Sequence, residues 1–227
     1  MRIIKAAANG SCLFISLRIG LEVLKLLSLN LTHATEPINC ILDGENPKVL
    51  QSAEDLRNKI IIKWFENGID KEIPGFGFFD ESAKRPWTRG DLLTMEAANI
   101  KELSGRSGDI PESAEDCRAL QKKYLKYLAS DNKFRKNWGG TAEYTAFALI
   151  AKITVEVWVA TDLTVVEDST NPRTRPSEYK KHSQIVPENT TGTIKLLFNG
   201  QNHYDLLLEN NEAEYLLSFT RKAKIVD

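Results

Sequence analysis

Two short segments near opposite ends of the chain limit the folds it can adopt, because their chemistry is useful only if the fold brings them together. One is Asn9-Gly10-Ser11-Cys12-Leu13-Phe14, just ahead of an amphipathic run; the other is Asn202-His203-Tyr204-Asp205-Leu206. A free thiol with a pKa near ~8.5 is largely protonated at neutral pH, so a nucleophilic cysteine needs surroundings that favour the thiolate. The start of a helix supplies them through its unpaired N–H groups and macrodipole. Asn9-Gly10 is a turn signal, and Ser11 suits an N-cap. From Leu13 to Leu29 the charged residues Arg18, Glu22 and Lys25 fall on one face, while Leu17, Leu21 and Leu24 fill the others. That pattern predicts a mostly buried helix with Cys12 at its positive end.

The partner segment has the period of a strand. Thr193 to Phe198 is apolar, Asn199-Gly200 is a hairpin-type turn, and His203 to Leu208 reads as the returning strand. Alternate side chains share a face, so His203 and Asp205 point to one side and Tyr204 to the other. Asp205 is then placed to fix the imidazole tautomer and to stabilise an imidazolium beside the thiolate, with Tyr204 left to pack. Taken singly, either segment has a plainer reading, since most free cysteines and strand histidines are structural. Their conjunction is what favours a nucleophile and its base.

A third segment lies between them: Trp138-Gly139-Gly140-Thr141-Ala142-Glu143, followed by an apolar helix to Ala151 and a strand from Ile153 to Val159. On its own it is a helix end, two glycines that let the chain turn, and a tryptophan anchor, with Glu143 capping or pairing locally. In this order the three segments resemble those of the ovarian-tumour (OTU) cysteine proteases, most of whose characterised members are deubiquitinases. That family's nucleophile motif, Asp-Gly-Asn-Cys-Leu-Phe, stands here as Asn9 through Phe14. Its His-aromatic-Asp/Asn motif stands as His203-Tyr204-Asp205, and its Trp-Gly-Gly segment as Trp138-Gly139-Gly140. The resemblance is nearly chain-wide, with residues from about 32 to 111 unaligned and read as a divergent, insertion-rich region.

The resemblance implies an α+β fold of the papain-related OTU type, a small central sheet flanked by helices, in a single catalytic domain over residues 1–227. It implies Cys12 as nucleophile, His203 as general base and acid, and Asp205 as the orienting residue. Asn9 takes the family position that helps form the oxyanion site, where its amide is able to donate. Trp138, Gly139 and Gly140 take the position beside the cleft for an extended, glycine-ended tail. The implied reaction is hydrolysis of the isopeptide or peptide bond after the C-terminal glycine of ubiquitin, through a thioester on Cys12, with ubiquitin or polyubiquitin chains as partners. Two alternatives stand beside it. One is an inactive ubiquitin-binding module, suggested by Asn9 and Ser11 where the family has aspartate and asparagine; the other is a cysteine protease acting on a ubiquitin-like modifier or a polyprotein.

Composition narrows the remaining classes. A chain of 227 residues, 42% hydrophobic and 27% charged, suits one globular domain. A net charge of -1 gives no basic field for nucleic acid, and the clusters Lys122-Lys123, Arg173 with Arg175, and Lys180-Lys181 belong to no nucleic-acid motif. Cys12, Cys40 and Cys117 are odd in number and lack metal-ligand spacing, which predicts a reducing compartment, no metal and no cofactor, with Cys40 and Cys117 as packing residues. His33 and His182 fall in polar stretches and read as surface residues. The first residues lack the apolar core of a secretory leader, and no run is long enough to cross a membrane. A cytoplasmic protein is therefore expected, in a host cell's cytosol if the chain is a secreted effector. Further helices are predicted from about Ala53 to Asn67, Leu92 to Glu102, Ser113 to Ala129 and Thr141 to Ala151, with strands near Ile153, Ile185, Ile194 and His203. Residues 68–90, rich in Gly, Pro and aromatics, are predicted as a loop pinned by its rings.

Overall fold

The computed structural model describes every residue except 9, 29–41, 74–78, 81–84, 106–107, 109, 130–138, 162–177, 219–224 and 227; for 28, 79, 80, 217, 218, 225 and 226 it describes the backbone alone. The chain opens with strand β1 (Arg2–Ile4) and helix α1 (Cys12–Ser28). Helix α2 (Pro47–Asp55) runs through a π-helical turn (Leu56–Ile61) into α3 (Ile62–Glu66). A two-stranded ribbon, β2 (Phe79–Asp80) with β3 (Arg85–Pro86), precedes α4 (Arg89–Ala98), α5 (Lys101–Ser104), α6 (Ala114–Ala129) and α7 (Thr141–Ala151). The last third carries β4 (Thr154–Ala160), β5 (Tyr179–Ile185), β6 (Thr193–Phe198), β7 (Tyr204–Leu208), α8 (Asn210–Ser218) and β8 (Ile225–Val226). Six described strands form one sheet in the order β5-β4-β6-β7-β1-β8, in which β4 and β6 run parallel and the other described pairs antiparallel. The architecture is a mixture of helix and sheet, α+β in class.

The sequence pattern accounts for the layering. All of β7 is buried, as its unbroken run Leu206-Leu207-Leu208 requires of a strand covered on both faces. At the sheet edge β5 carries exposed Lys180, Lys181 and His182, charges of the kind that keep an edge from pairing with another chain. Helix α1 lies on β6 and β7, burying Leu13, Phe14, Ile15, Leu17 and Ile19. Its charged residues pair along the outer face, Glu22 accepting from both Arg18 and Lys25. Gly20 lets β6 come close, since a Cβ there would stand 2.8 Å from Ile194 Cδ1. Residues 42–111 join the same hydrophobic cluster as the ends of the chain, through Leu42, Ala53, Phe65, Leu92 and Leu93.

Several boundaries differ from the pattern-based expectation. The helix expected from Ala53 begins at Pro47, where Asn46 Oδ1 caps Lys48 N at 2.9 Å and Pro47 opens the first turn. The apolar period there is too sparse to show the start. The helix expected from Leu92 begins at Arg89 behind a Thr88/Asp91 capping box, ends at Ala98, and resumes as α5, closed by Gly105 at φ 82°. The stretch 68–90, expected as a loop, contributes the β2–β3 ribbon and the first turn of α4. Phe76 and Phe78 lie outside the described residues, and Trp87 is half-buried against the core. Among the described residues no helix is long and apolar enough to cross a membrane.

Candidate functional site

Gly10 adopts φ 81°, a left-handed conformation that turns the chain into α1. Ser11 stands at the head of the helix, its carbonyl accepting from Ile15 N at 2.9 Å, and Cys12 is the first helical residue. Cys12 is 2% exposed. Its Sγ accepts from Tyr204 N at 3.5 Å and donates to Asn202 O at 3.8 Å, so the head of α1 rests directly on the start of β7. The two segments at opposite ends of the chain meet.

The loop that delivers His203 is built on Asn199. Its Oδ1 accepts from the amides of Gln201, Asn202 and His203 at 2.9 to 3.0 Å, Gly200 takes φ 84°, and Asn199 N closes the loop on His203 O at 3.1 Å. His203 precedes β7 by one residue and shares a side with Asp205; its Nε2 is 2.9 Å from Asp205 Oδ1. Asp205 is buried and well satisfied, Oδ1 also accepting from Ala6 N at 2.9 Å and Oδ2 from Lys5 Nζ at 2.9 Å. Burial pushes its carboxyl up, but the His203 imidazole, the Lys5 ammonium and the Ala6 amide outweigh this and hold it below the ordinary aspartate value. Burial also opposes charge on His203, yet Asp205 and, after it, Cys12 raise its pKa to about 9. His203 Nδ1 is buried and has no hydrogen-bond partner among the described residues. Tyr204 faces away, stacked on Phe198 with ring centroids 4.8 Å apart.

Gly139 and Gly140 are buried beside the same helix end. A Cβ on Gly139 would lie 2.8 Å from Leu13 Cδ2 and 3.0 Å from the Phe14 ring, so only a bare backbone fits against the first turn of α1. Gly140 is gripped from the other side. Its N–H donates to Glu143 Oε2 at 2.5 Å, and a Cβ on it would stand 2.1 Å from Glu96 Oε1. Glu96, on α4, also accepts from Ala142 N at 3.3 Å, while fully buried Glu143 accepts from Tyr124 OH at 2.8 Å. Burial, then the charge of Glu96, raises Glu143 to about 7, and burial raises Glu96 as well. Two carboxylates thus collect at the positive end of α7. Asn9 and Trp138, like Cys40 and His33, lie outside the described residues.

Three participants were not anticipated from sequence. Lys5 reaches Asp205 because β1 pairs antiparallel with β7, Ile4 opposite Leu206, and the next step of that register sets Lys5 against Asp205. Glu96 comes from a helix distant in sequence. Arg57, in the π-helical turn, is 1% exposed and donates through Nη2 to Gly10 O at 2.9 Å and to Ser11 Oγ at 3.0 Å, its guanidinium 4.4 Å from the centre of the Phe14 ring. Elsewhere, a cleft of about 770 Å³ between α4, α6 and the ribbon is lined by Asp70, Trp87, Asp91, Cys117 and Arg118, and includes neither Cys12 nor His203. Cys117 there donates to Pro111 O at 3.2 Å. Among the described residues no group of three or more His, Cys, Asp or Glu side chains is arranged to hold a metal ion. No protein-family model matches the chain, and no curated protein matches it.

Proposed function

We propose that the chain is a cysteine-dependent deubiquitinase with an OTU-like catalytic domain, acting in the cytosol on the bond that follows the C-terminal glycine of ubiquitin. The observation that carries this reading is the setting of His203: Nε2 is held by Asp205 at 2.9 Å, and the buried Nδ1 is the nitrogen left for the sulfur of Cys12. With both nitrogens protonated, the imidazolium pairs with the thiolate, which is the nucleophilic form of cysteine. The thiolate attacks the glycyl carbonyl, and the electron pair displaced onto oxygen is received by N–H groups of the first turn of α1, which have no intrahelical acceptors. As the tetrahedral intermediate collapses, His203 gives its Nδ1 proton to the departing lysine amine, leaving a thioester on Cys12. Water then loses a proton to the same nitrogen, attacks the thioester, and releases the carboxylate and the thiolate. The substrate class rests on the resemblance of the Cys12, Trp138-Gly139-Gly140 and His203 segments to those of the OTU proteases, since Gly139 and Gly140 are themselves buried against Leu13, Phe14 and Glu96.

The test is turnover of a ubiquitin carrying a fluorogenic amide at its C terminus. Wild type is expected to release the fluorophore, Cys12→Ala to show none, and His203→Ala to lose at least about 10³-fold in kcat. Undiminished release by Cys12→Ala would remove the mechanism. Cysteine-dependent cleavage of a ubiquitin-like modifier or a polyprotein site, with none of ubiquitin, would keep the chemistry and replace the substrate.

A further inference from the structure

We infer that Arg57 is a positioning residue for the nucleophile: its guanidinium holds the Gly10-Ser11 turn in the orientation that presents Cys12 and the first-turn amides of α1 to the reacting carbonyl. For its substrate this inference rests on the deubiquitinase reading; for its geometry it needs only a nucleophilic Cys12. A buried guanidinium is costly to desolvate, so its contacts have to be good ones. Through Nη2 it reaches the two residues immediately before the nucleophile, Gly10 O at 2.9 Å and Ser11 Oγ at 3.0 Å. Ser11 Oγ in turn donates to Glu54 Oε1 at 2.8 Å, so Arg57, Ser11 and Glu54 form a relay from the α2 region to the turn.

The consequence is control of a carbonyl dipole. The turn depends on Gly10 at φ 81°, a residue whose backbone moves easily between conformations. If the Gly10 peptide rotated, its oxygen would bring negative charge toward amides that must receive a developing oxyanion. Arg57 engages that oxygen. It also stacks on Phe14, the ring against which Gly139 packs, so one side chain ties the nucleophile's turn to the glycine strip. The π-helical turn that carries Arg57 is the kind of irregularity found more often at functional sites than in plain helices.

The experiment compares wild type, Arg57→Gln, Arg57→Lys and Ser11→Ala as full chains, with circular dichroism and thermal unfolding to establish folding. Two readouts are taken: kcat and KM on the fluorogenic ubiquitin amide, and the pH profile of Cys12 alkylation by iodoacetamide, with the adduct mapped by mass spectrometry. Arg57→Gln is expected to lower kcat by about 10- to 100-fold with KM within about twofold, and to shift the alkylation profile. Arg57→Lys should recover part of the loss, and Ser11→Ala should change both readouts in the same direction by a smaller factor. Unchanged kcat and alkylation in folded Arg57→Gln, or a change confined to KM, would overturn the inference. Should Arg57→Gln fail to fold, Ser11→Ala decides, and wild-type behaviour from it would overturn the inference. A wild type inert toward the ubiquitin amide would sink the substrate reading alone, and the alkylation profiles would then decide the role of Arg57.

Discussion

Burial opposes charge on the imidazole of His203, but its interactions with Asp205 and Cys12 outweigh that cost and favour the protonated ring through neutral pH. Its pKa is raised from 6.5 to about 9, so the stability it contributes is fully present below about 6.5 and is lost as pH rises through 9. Asp205 has the opposite sign: its depressed carboxyl contributes stability above its ordinary value of 3.8, lost as pH falls through the lower folded value. On the proposed mechanism the same pair shapes activity. The alkaline limb of kcat/KM is expected near pH 9 in wild type, and Asp205→Asn should move it toward acid while lowering kcat by about 10²- to 10⁴-fold. A profile with the same alkaline limb in both proteins would show that Asp205 does not tune the imidazole. The meeting of Cys12, His203 and Asp205 was legible in the sequence because a helical period places the first and a strand period the other two. Lys5 and Arg57 were not, since a strand register sets one and a helix irregularity the other, and neither leaves a local pattern.

Among the elements, the N terminus of α7 gathers two buried carboxyl groups, Glu96 and Glu143. Glu143 is raised to about 7 by burial and by Glu96, so the folded state holds its proton more tightly than the unfolded chain does. Stability from this group is therefore greatest below its ordinary value of 4.5 and declines as pH rises toward 7. Glu143→Gln keeps an acceptor for Gly140 N and gains an amide donor for Tyr124 O, while removing the charge. Urea midpoints measured from pH 5 to pH 8 should fall less steeply in the variant than in wild type; parallel slopes would place the cost elsewhere. The elements themselves were readable where the period was long. Helix α7 was expected at its observed bounds, and α1 and α6 within a residue or so. Strand β1, helix α8 and strand β8 were not, because two- and three-residue strands are too short to show a period, and α8 has few apolar residues. The start of α2 was marked by Asn46-Pro47, a cap signal that the sparse apolar pattern obscured.

For the molecule as a whole, the sheet is what joins the chain's ends. Strand β1 lies between β7 and β8, and α1 covers β6 and β7, so the residues before Cys12 and those after His203 are built into one layer. The hydrophobic cluster running from Ile4 to Leu216 makes the site a property of the entire fold rather than of either segment. That junction was implied by chemistry before it was visible in any local pattern, while the packing of residues 42–111 against it was anticipated only for the ring-bearing stretch 68–90, where Trp87 is packed on the core. The central claim is that Cys12 is a nucleophile presented to a ubiquitin tail. Intact mass spectrometry of wild type and Cys12→Ala after incubation with ubiquitin bearing a C-terminal electrophile tests it most directly. The account predicts one ubiquitin adduct on wild type and none on the variant; no adduct on folded wild type, or an equal adduct on both, would contradict it.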